Sequence, residues 1–383
     1  LTVWRLITGE YPPQTGGVSD YSRLVARALA AAGDSVHVYA PPAPAGEYLD
    51  PGVELHRLPG HFDPRSLGRL GRELHSLSGG TPDEVVLVQY VPHAFGLKAM
   101  NLPFCVWLYA LSRTKRRIVV MFHEATVPWR RGQPVKLQVL ASATASMAML
   151  VARAASLIFV AIPAWKDRLA RFAGRTRMEW LPVPSNVPVA ENADAVREMR
   201  QGLNAKTIVG HFGSNDHAIS QSLKLVIPEL LEAAPAVDIL LIGRDSMALK
   251  EAIAQGRSRL ANRIHATGGL PENGVSVALS SCDLMLQPYP DGVSTRRGSV
   301  MAALAHQRAI VTTAGILTEP LWLESGAVVL TPVGDHTAMS AELKRLIGDE
   351  GERSRIGSAG KRLYDERFAL HHTIRVLREN ASG

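Results

Sequence analysis

Cysteine is almost absent from this chain of 383 residues. Only Cys105 and Cys282 occur, far apart and each among apolar neighbours, which excludes a disulfide framework and a cysteine-based metal site and predicts two buried thiols in a reducing compartment. Aromatic residues make up 6%, and no run combines dense Lys/Arg with interleaved aromatics, so nucleic acid is not an expected partner despite a formal net charge of +7. The thirteen histidines contain no HExxH spacing, so no metal is expected in the chemistry. No GxGxxG lies in a strand-to-helix turn, which argues against a nicotinamide dehydrogenase. Long apolar runs are missing too. Residues 102–111 stop at Arg113, and residues 137–152 are broken by Gln138, Ser142, Thr144 and Ser146; both predict core helices. The stretch LTVWRLITGEYPP reads as a strand and loop without a signal-peptide pattern, so nothing in it suggests export.

What remains is a globular composition: 46% hydrophobic, 20% charged, mean hydropathy +0.03, enough for two cores of ordinary size. Apolar strands alternate with helices of 3.6-residue period in both halves. Residues 1–8 read as a first strand, residues 18–29 as a helix capped by Ser19, and residues 36–40 as the second strand. Further strands are expected at 84–90, 118–122 and 157–162, and then at 206–212 and 237–242. The proline-rich run WLPVPSNVP at 180–188 is a stiff connector between the halves. The pattern predicts an α/β chain of two doubly wound, Rossmann-like domains facing a cleft.

The rest can be placed around residues 287–313, QPYPDGVSTRRGSVMAALAHQRAIVTT. An apolar segment at 278–287 reads as a buried strand that Pro288 and Pro290 must end. Asp291 and Gly292 are turn chemistry, Ser294 or Thr295 can cap the helix that follows, and Arg296 and Arg297 stand at its start. Two guanidiniums at a helix N-terminus oppose the dipole unless an anion joins them, so a diphosphate is expected there. Other strand ends carry candidate groups as well: Gly16 and Gly17 after the first strand, His123 and Glu124 after the strand at 118–122, and Gly213-Ser214, Gly243-Arg244 and Gly268-Gly269-Leu270 in the second half. His93 is a weaker candidate of the same kind.

Taken together, EYPPQTGG, MFHEATVPW, the 180–188 connector and ALAHQRAIVTTAG resemble the GT-B glycosyltransferases of family 4 over nearly the whole chain. The resemblance implies domains at 1–180 (acceptor side) and 181–360 (donor side), with a final helix at 361–383 packing back on the first. It implies transfer of a sugar from a UDP- or GDP-linked donor, retention of configuration, no metal and no cofactor beyond the donor itself. His123, Gly16, Gly17 and Glu124 would stand at the reacting sugar. Gly213, Ser214, Arg244, Gly269, Leu270, Asp291, Ser294, Thr295, Arg296 and Arg297 would hold the donor. One departure matters. The family's two glutamates, eight positions apart, fall on Ser294 and Ala302 in one register and on Asp291 and Ser299 in the other, and neither register keeps both carboxylates. An inactive nucleotide-sugar-binding protein on a decayed fold, or another GT-B enzyme such as an epimerase, therefore stays open beside a transferase. The acceptor, whether a glycan, a lipid-linked glycan or a small molecule, is not readable, because acceptor pockets are built from variable loops. A cytoplasmic location is expected, with peripheral contact to an anionic membrane through Phe104, Trp107, Leu108 and Tyr109 beside Arg113, Lys115, Arg116 and Arg117.

Overall fold

In the computed structural model, residues 1–43, 50–76, 84–114, 116–129, 131–203, 206–213 and 216–381 are described. They form two compact units, residues 1–183 with 370–383, and residues 184–369.

The first unit is a seven-stranded parallel sheet. Its strands are β1 (Val3–Thr8), β2 (Ser35–Ala40), β3 (Val53–Arg57), β4 (Glu84–Tyr90), β5 (Arg117–Phe122), β6 (Leu157–Val160) and β7 (Arg177–Trp180). Helices α1 (Gly17–Ala31), α2 (Pro64–Ser76), α3 (Leu102–Ser112), α4 (Val135–Ala154) and α5 (Pro163–Ala173) connect them. The strand order is β3-β2-β1-β4-β5-β6-β7, so the winding reverses between β1 and β4. Leu6, Ile7, Val38, Leu87, Val88, Val120 and Phe122 are buried, as strands covered on both faces must be, and that makes them legible as continuous apolar runs.

The second unit holds a six-stranded parallel sheet in the order β10-β9-β8-β11-β12-β13, reversing between β8 and β11. Its elements are α6 (Ala193–Leu203), β8 (Thr207–Phe212), α7 (His217–Ala233), β9 (Val237–Ile242), α8 (Ser246–Ala254), α9 (Ser258–Ala261), β10 (Ile264–Ala266), α10 (Glu272–Ser281), β11 (Leu284–Gln287), α11 (Gly298–Ala305), β12 (Ala309–Ala314), α12 (Pro320–Glu324), β13 (Val329–Pro332), α13 (His336–Gly348) and α14 (Glu350–Arg367). The final helix, α15 (Leu370–Glu379), belongs to the first unit, where Arg378 pairs with Asp34 at 3.1 Å and Arg117 donates to the Asn380 carbonyl at 2.7 Å. The chain leaves the first unit at 183 and returns at 370, later than the boundaries at 180 and 360 expected from sequence, because β7 occupies the start of the proline run and α14 stays with the second sheet.

Several local expectations are corrected. The apolar segment at 278–287 is the end of α10, a turn and a four-residue strand, since Ser280 and Ser281 close a helix that Val275, Ala278 and Leu279 bury. Ser19 does not cap α1; its hydroxyl donates to the Gln14 carbonyl at 2.5 Å, and Gly16 takes the cap position. No side chain caps α11, whose cap position is Arg297 rather than Ser294 or Thr295. Phe104 and Leu108 are core rather than surface, whereas Leu102, Val106, Trp129, Val135 and Val139 are among the exposed apolar side chains of that region. Helix α4 is long and apolar enough to cross a membrane by length and composition, although no uninterrupted apolar run of that length stands in the sequence.

Candidate active site

Open parallel sheets bind ligands beyond the carboxyl ends of their strands, at the point where the winding reverses. In each unit the candidate residues gather there.

In the second unit the reversal point lies between β8 and β11. Gln287 ends β11 and its amide donates to the Phe212 carbonyl at the end of β8, 3.0 Å away. Gly213 follows with φ 142°, a backbone conformation that a side chain would strain, and a Cβ placed on it would lie 3.4 Å from Ser299 in the first turn of α11. The β8 end and the α11 N-terminus therefore meet with only backbone on one side. Gly243, just after β9, bridges Gly268 after β10, its amide donates to Thr267 Oγ1 at 3.2 Å, and Gly268 donates to Ser246 Oγ at 2.9 Å. Arg244 is exposed, and its side chain lies beside Gly269, where a Cβ would stand 3.1 Å from it; Leu270 is half-buried. Three strand-end loops are thus laced together by small groups. Ser214 lies outside the described residues.

The arginine pair is arranged differently from the sequence expectation. Arg296 and Arg297 each donate to a separate oxygen of Asp291, so one carboxylate sits between two guanidiniums, all three side chains being mostly buried. Burial pushes the Asp291 carboxyl up, but the two guanidiniums outweigh it and hold the group below the usual carboxylate range. Arg297 also lies over the Tyr289 ring, 4.6 Å from its centroid, and the Tyr289 hydroxyl meets Ser299 Oγ at 2.7 Å. The two guanidiniums and Asp291 form a trio of net charge +1, because a carboxylate five and six residues back is within reach around the turn.

Other polar atoms here are left over. Gln287 Oε1, Ser294 Oγ and Arg297 Nε are buried with no hydrogen-bond partner among the described residues. Buried orphans of this kind cost about 1–3 kcal/mol each and gather where a ligand completes the bonding. Thr295 is occupied: its amide and hydroxyl donate to Glu319 Oε1 at 3.0 and 2.6 Å, while Trp322 Nε1 donates to Glu319 Oε2 at 2.7 Å. Glu319 stands at the cap position of α12 but makes no capping bond among the described residues, since these three donors hold it. Of the two glutamate registers, Ala302 is wholly buried in α11, whereas Asp291 and Ser299 join the polar cluster.

In the first unit the reversal point lies between β1 and β4. His123 follows β5 and is buried; its Nε2 meets Gln89 Oε1 at 2.9 Å, its backbone carbonyl accepts from Trp165 Nε1 at 2.9 Å, and Tyr21 stands edge-on to its ring at 4.7 Å. Burial pushes its pKa down to about 3, so the imidazole is neutral near neutral pH. Gln89 Nε2, beside it, is buried with no hydrogen-bond partner among the described residues. Gly17 is open, whereas a Cβ on Gly16 would run into the Glu10 carboxylate.

Glu10 was not singled out by sequence reasoning. His93 stands between it and Glu124, its Nε2 4.0 Å from Glu10 and its Nδ1 3.8 Å from Glu124. Burial raises the Glu10 pKa, with His93 opposing. The closeness depends on Gly9: the 92–95 turn lies against it so tightly that a Cβ would stand on the Ala94 carbonyl. Glu124 does not cap the following helix, which starts at Val135 after Pro134. The only sequence signal for this group was its place after three strands.

Comparison with known families agrees with this geometry. Residues 16–184 match the glycosyl transferase 4-like domain and residues 206–349 match the glycosyl transferases group 1, so the chain belongs to the two-domain glycosyltransferases of GT-B fold. Among solved structures, it is similar to a sucrose-phosphate synthase from Thermosynechococcus elongatus (TM-score 0.73, 16% identity, 99% of this chain and 98% of that one). It is similar also to Anabaena HepE solved with UDP-glucose (0.69, 17%, 99% of both). A third is a UDP-forming trehalose-phosphate synthase from Burkholderia xenovorans solved with glucose-6-phosphate (0.72, 12%, 100% of both). No curated protein matches significantly by sequence.

Proposed function

We propose that this glycosyltransferase moves a hexosyl group from a nucleoside-diphosphate sugar to an acceptor hydroxyl, with retention of configuration and without a metal on the diphosphate. The bond between the anomeric carbon and the diphosphate oxygen breaks, a bond from that carbon to the acceptor oxygen forms, and the acceptor proton leaves with the nucleoside diphosphate. The observation that carries the donor assignment is the β8/β11 reversal point, where the bare glycine backbone at Gly213 faces a helix N-terminus beside the +1 trio of Asp291, Arg296 and Arg297. Amides, dipole and guanidiniums there meet the charge that grows on the departing diphosphate. The UDP-glucose bound in HepE supports a nucleotide-sugar donor at 17% identity. Neutral His123 would orient the sugar as a hydrogen-bonding group, not as a cation, and the Glu10–His93–Glu124 group supplies carboxylates for an acceptor hydroxyl.

The test is thermal shift with UDP and GDP. A nucleotide-induced rise should vanish in the triple variant Asp291→Ala, Arg296→Ala, Arg297→Ala, which removes the whole trio and so strands no carboxylate. An undiminished rise removes the trio from the site. Wholly buried Ala302, at a position of the family's second glutamate, favours one rival reading, a nucleotide-sugar binder without turnover. Nucleotide binding with neither transfer nor donor hydrolysis over a broad acceptor panel would establish it. The exposed apolar group of Leu102, Val106, Trp129, Val135 and Val139 supports peripheral docking on a cytoplasmic membrane face, which co-sedimentation with anionic vesicles checks.

A further inference from the structure

Strand β3 is the edge of the first sheet and pairs only with β2. Register puts His37 opposite Glu54 and Tyr39 opposite His56, and alternation along both strands brings His37, Glu54 and His56 to one face. Three contacts follow. His37 Nδ1 lies 3.3 Å from His56 Nε2, Glu54 Oε2 lies 3.2 Å from His37 Nδ1, and Glu54 Oε1 lies 3.2 Å from His56 Nε2. Protons satisfy at most two of these. If both nitrogens donate to the carboxylate, two N–H groups stand side by side; if one nitrogen donates to the other, a carboxylate contact is left without a proton.

We infer that His37, His56 and Glu54 form a binding site for a divalent transition metal of the zinc class, which ties the edge strand β3 to β2. Ligand atoms about 2.0–2.2 Å from a tetrahedral zinc stand about 3.3–3.5 Å from one another, close to the spacing seen. The other ring nitrogens are held as ligating histidines require: His37 Nε2 meets Ser35 Oγ at 3.3 Å, and His56 Nδ1 meets Glu73 Oε1, from α2, at 3.1 Å. Tyr39 stacks on His56 at 4.7 Å with 14° between the planes and fixes the ring. Arg5, a nearby cation that opposes the ion, is bound to Glu84 at 3.0 Å, while Glu54 and Glu73 bring two negative charges. Three protein ligands leave the fourth position to water. Glu54, the outermost ligand with 63% side-chain exposure, gives the ion its route in. The site stands independently of the glycosyl-transfer reading.

Untagged protein, stripped with chelator, is titrated with zinc chloride by calorimetry, with bound metal counted by elemental analysis. The expected result is one zinc per chain and a higher melting temperature with metal. His37→Ala with His56→Ala should remove that equivalent. Glu54→Gln, an exposed change that leaves the fold intact, should weaken binding at least tenfold, and Glu73→Gln, a positioning change, 10- to 100-fold at unchanged stoichiometry. No zinc uptake by the wild-type protein would overturn the proposal and leave the three side chains as a hydrogen-bonded cluster between β2, β3 and α2. Uptake equal in wild type and Glu54→Gln would overturn it equally, by placing the metal elsewhere.

Discussion

Replacing His123 by glutamine tests whether this imidazole is held neutral by burial. Its pKa is depressed from 6.5 to about 3 in the folded chain, so below pH 6.5 the unfolded state binds a proton that the native state refuses. The associated stability is fully present above pH 6.5 and is lost as pH falls toward 3. With those two values the loss amounts to about 2 kcal/mol between pH 8 and pH 5. His37 and His306 are depressed too, so the total acid sensitivity of the protein is not diagnostic, but the difference between wild type and His123→Gln is. Glutamine keeps a donor for Gln89 and has no proton to take up in this range.

Urea unfolding followed by tryptophan fluorescence suits the measurement. Five of the six tryptophans, Trp4, Trp107, Trp129, Trp165 and Trp180, lie in the first unit, and Trp165 donates directly to the His123 carbonyl. For a slope of about 2 kcal/mol per molar urea, the wild-type midpoint should fall about 1 M further than the variant's between pH 8 and pH 5. Equal falls would refute the argument, because they would mean that His123 titrates alike in both states and is solvated or paired when folded.

Three further outcomes follow from particular contacts. Gly213→Ala forces a side chain into φ 142° and against Ser299, so nucleotide affinity should drop by tenfold or more in calorimetry while the first unit's unfolding midpoint stays unchanged. Glu319→Ala strands three buried donors, from Thr295 and Trp322, and should cost about 3 kcal/mol or more, read as an earlier thermal transition and altered Trp322 emission; Glu319→Gln should lose less. Cys105 and Cys282 are buried, with pKa values pushed up to about 12, so a thiol reagent should label neither in the native protein and both in urea.

The fold was legible because a parallel sheet covered on both faces writes its strands as unbroken apolar runs such as VVLVQY and IVVMF, and glycine marks where the chain leaves them. Edge strands were less visible: β7 overlaps the proline run, and β3 reads V-E-L-H-R with no buried residue. Residue types at the site were legible wherever one loop carried them, as at 291–297. Their pairing was not, since nothing in the order D-G-V-S-T-R-R says that the turn folds both guanidiniums back on the aspartate. Groups drawn from separate strands were hidden further. Glu10, His93 and Glu124 are each unremarkable in sequence and become a cluster only because β1, β4 and β5 are adjacent. The same reasoning bears on the missing glutamates. A carboxylate at Ala302 would be desolvated inside α11, whereas Asp291 keeps its charge by binding two arginines. The loop before α11 thus carries an anionic group together with its own counter-charge. Donor affinity should then depend on the trio as a unit, whereas the melting temperature without nucleotide should fall further on removal of one arginine, which leaves Asp291 half-paired, than on removal of all three charges together.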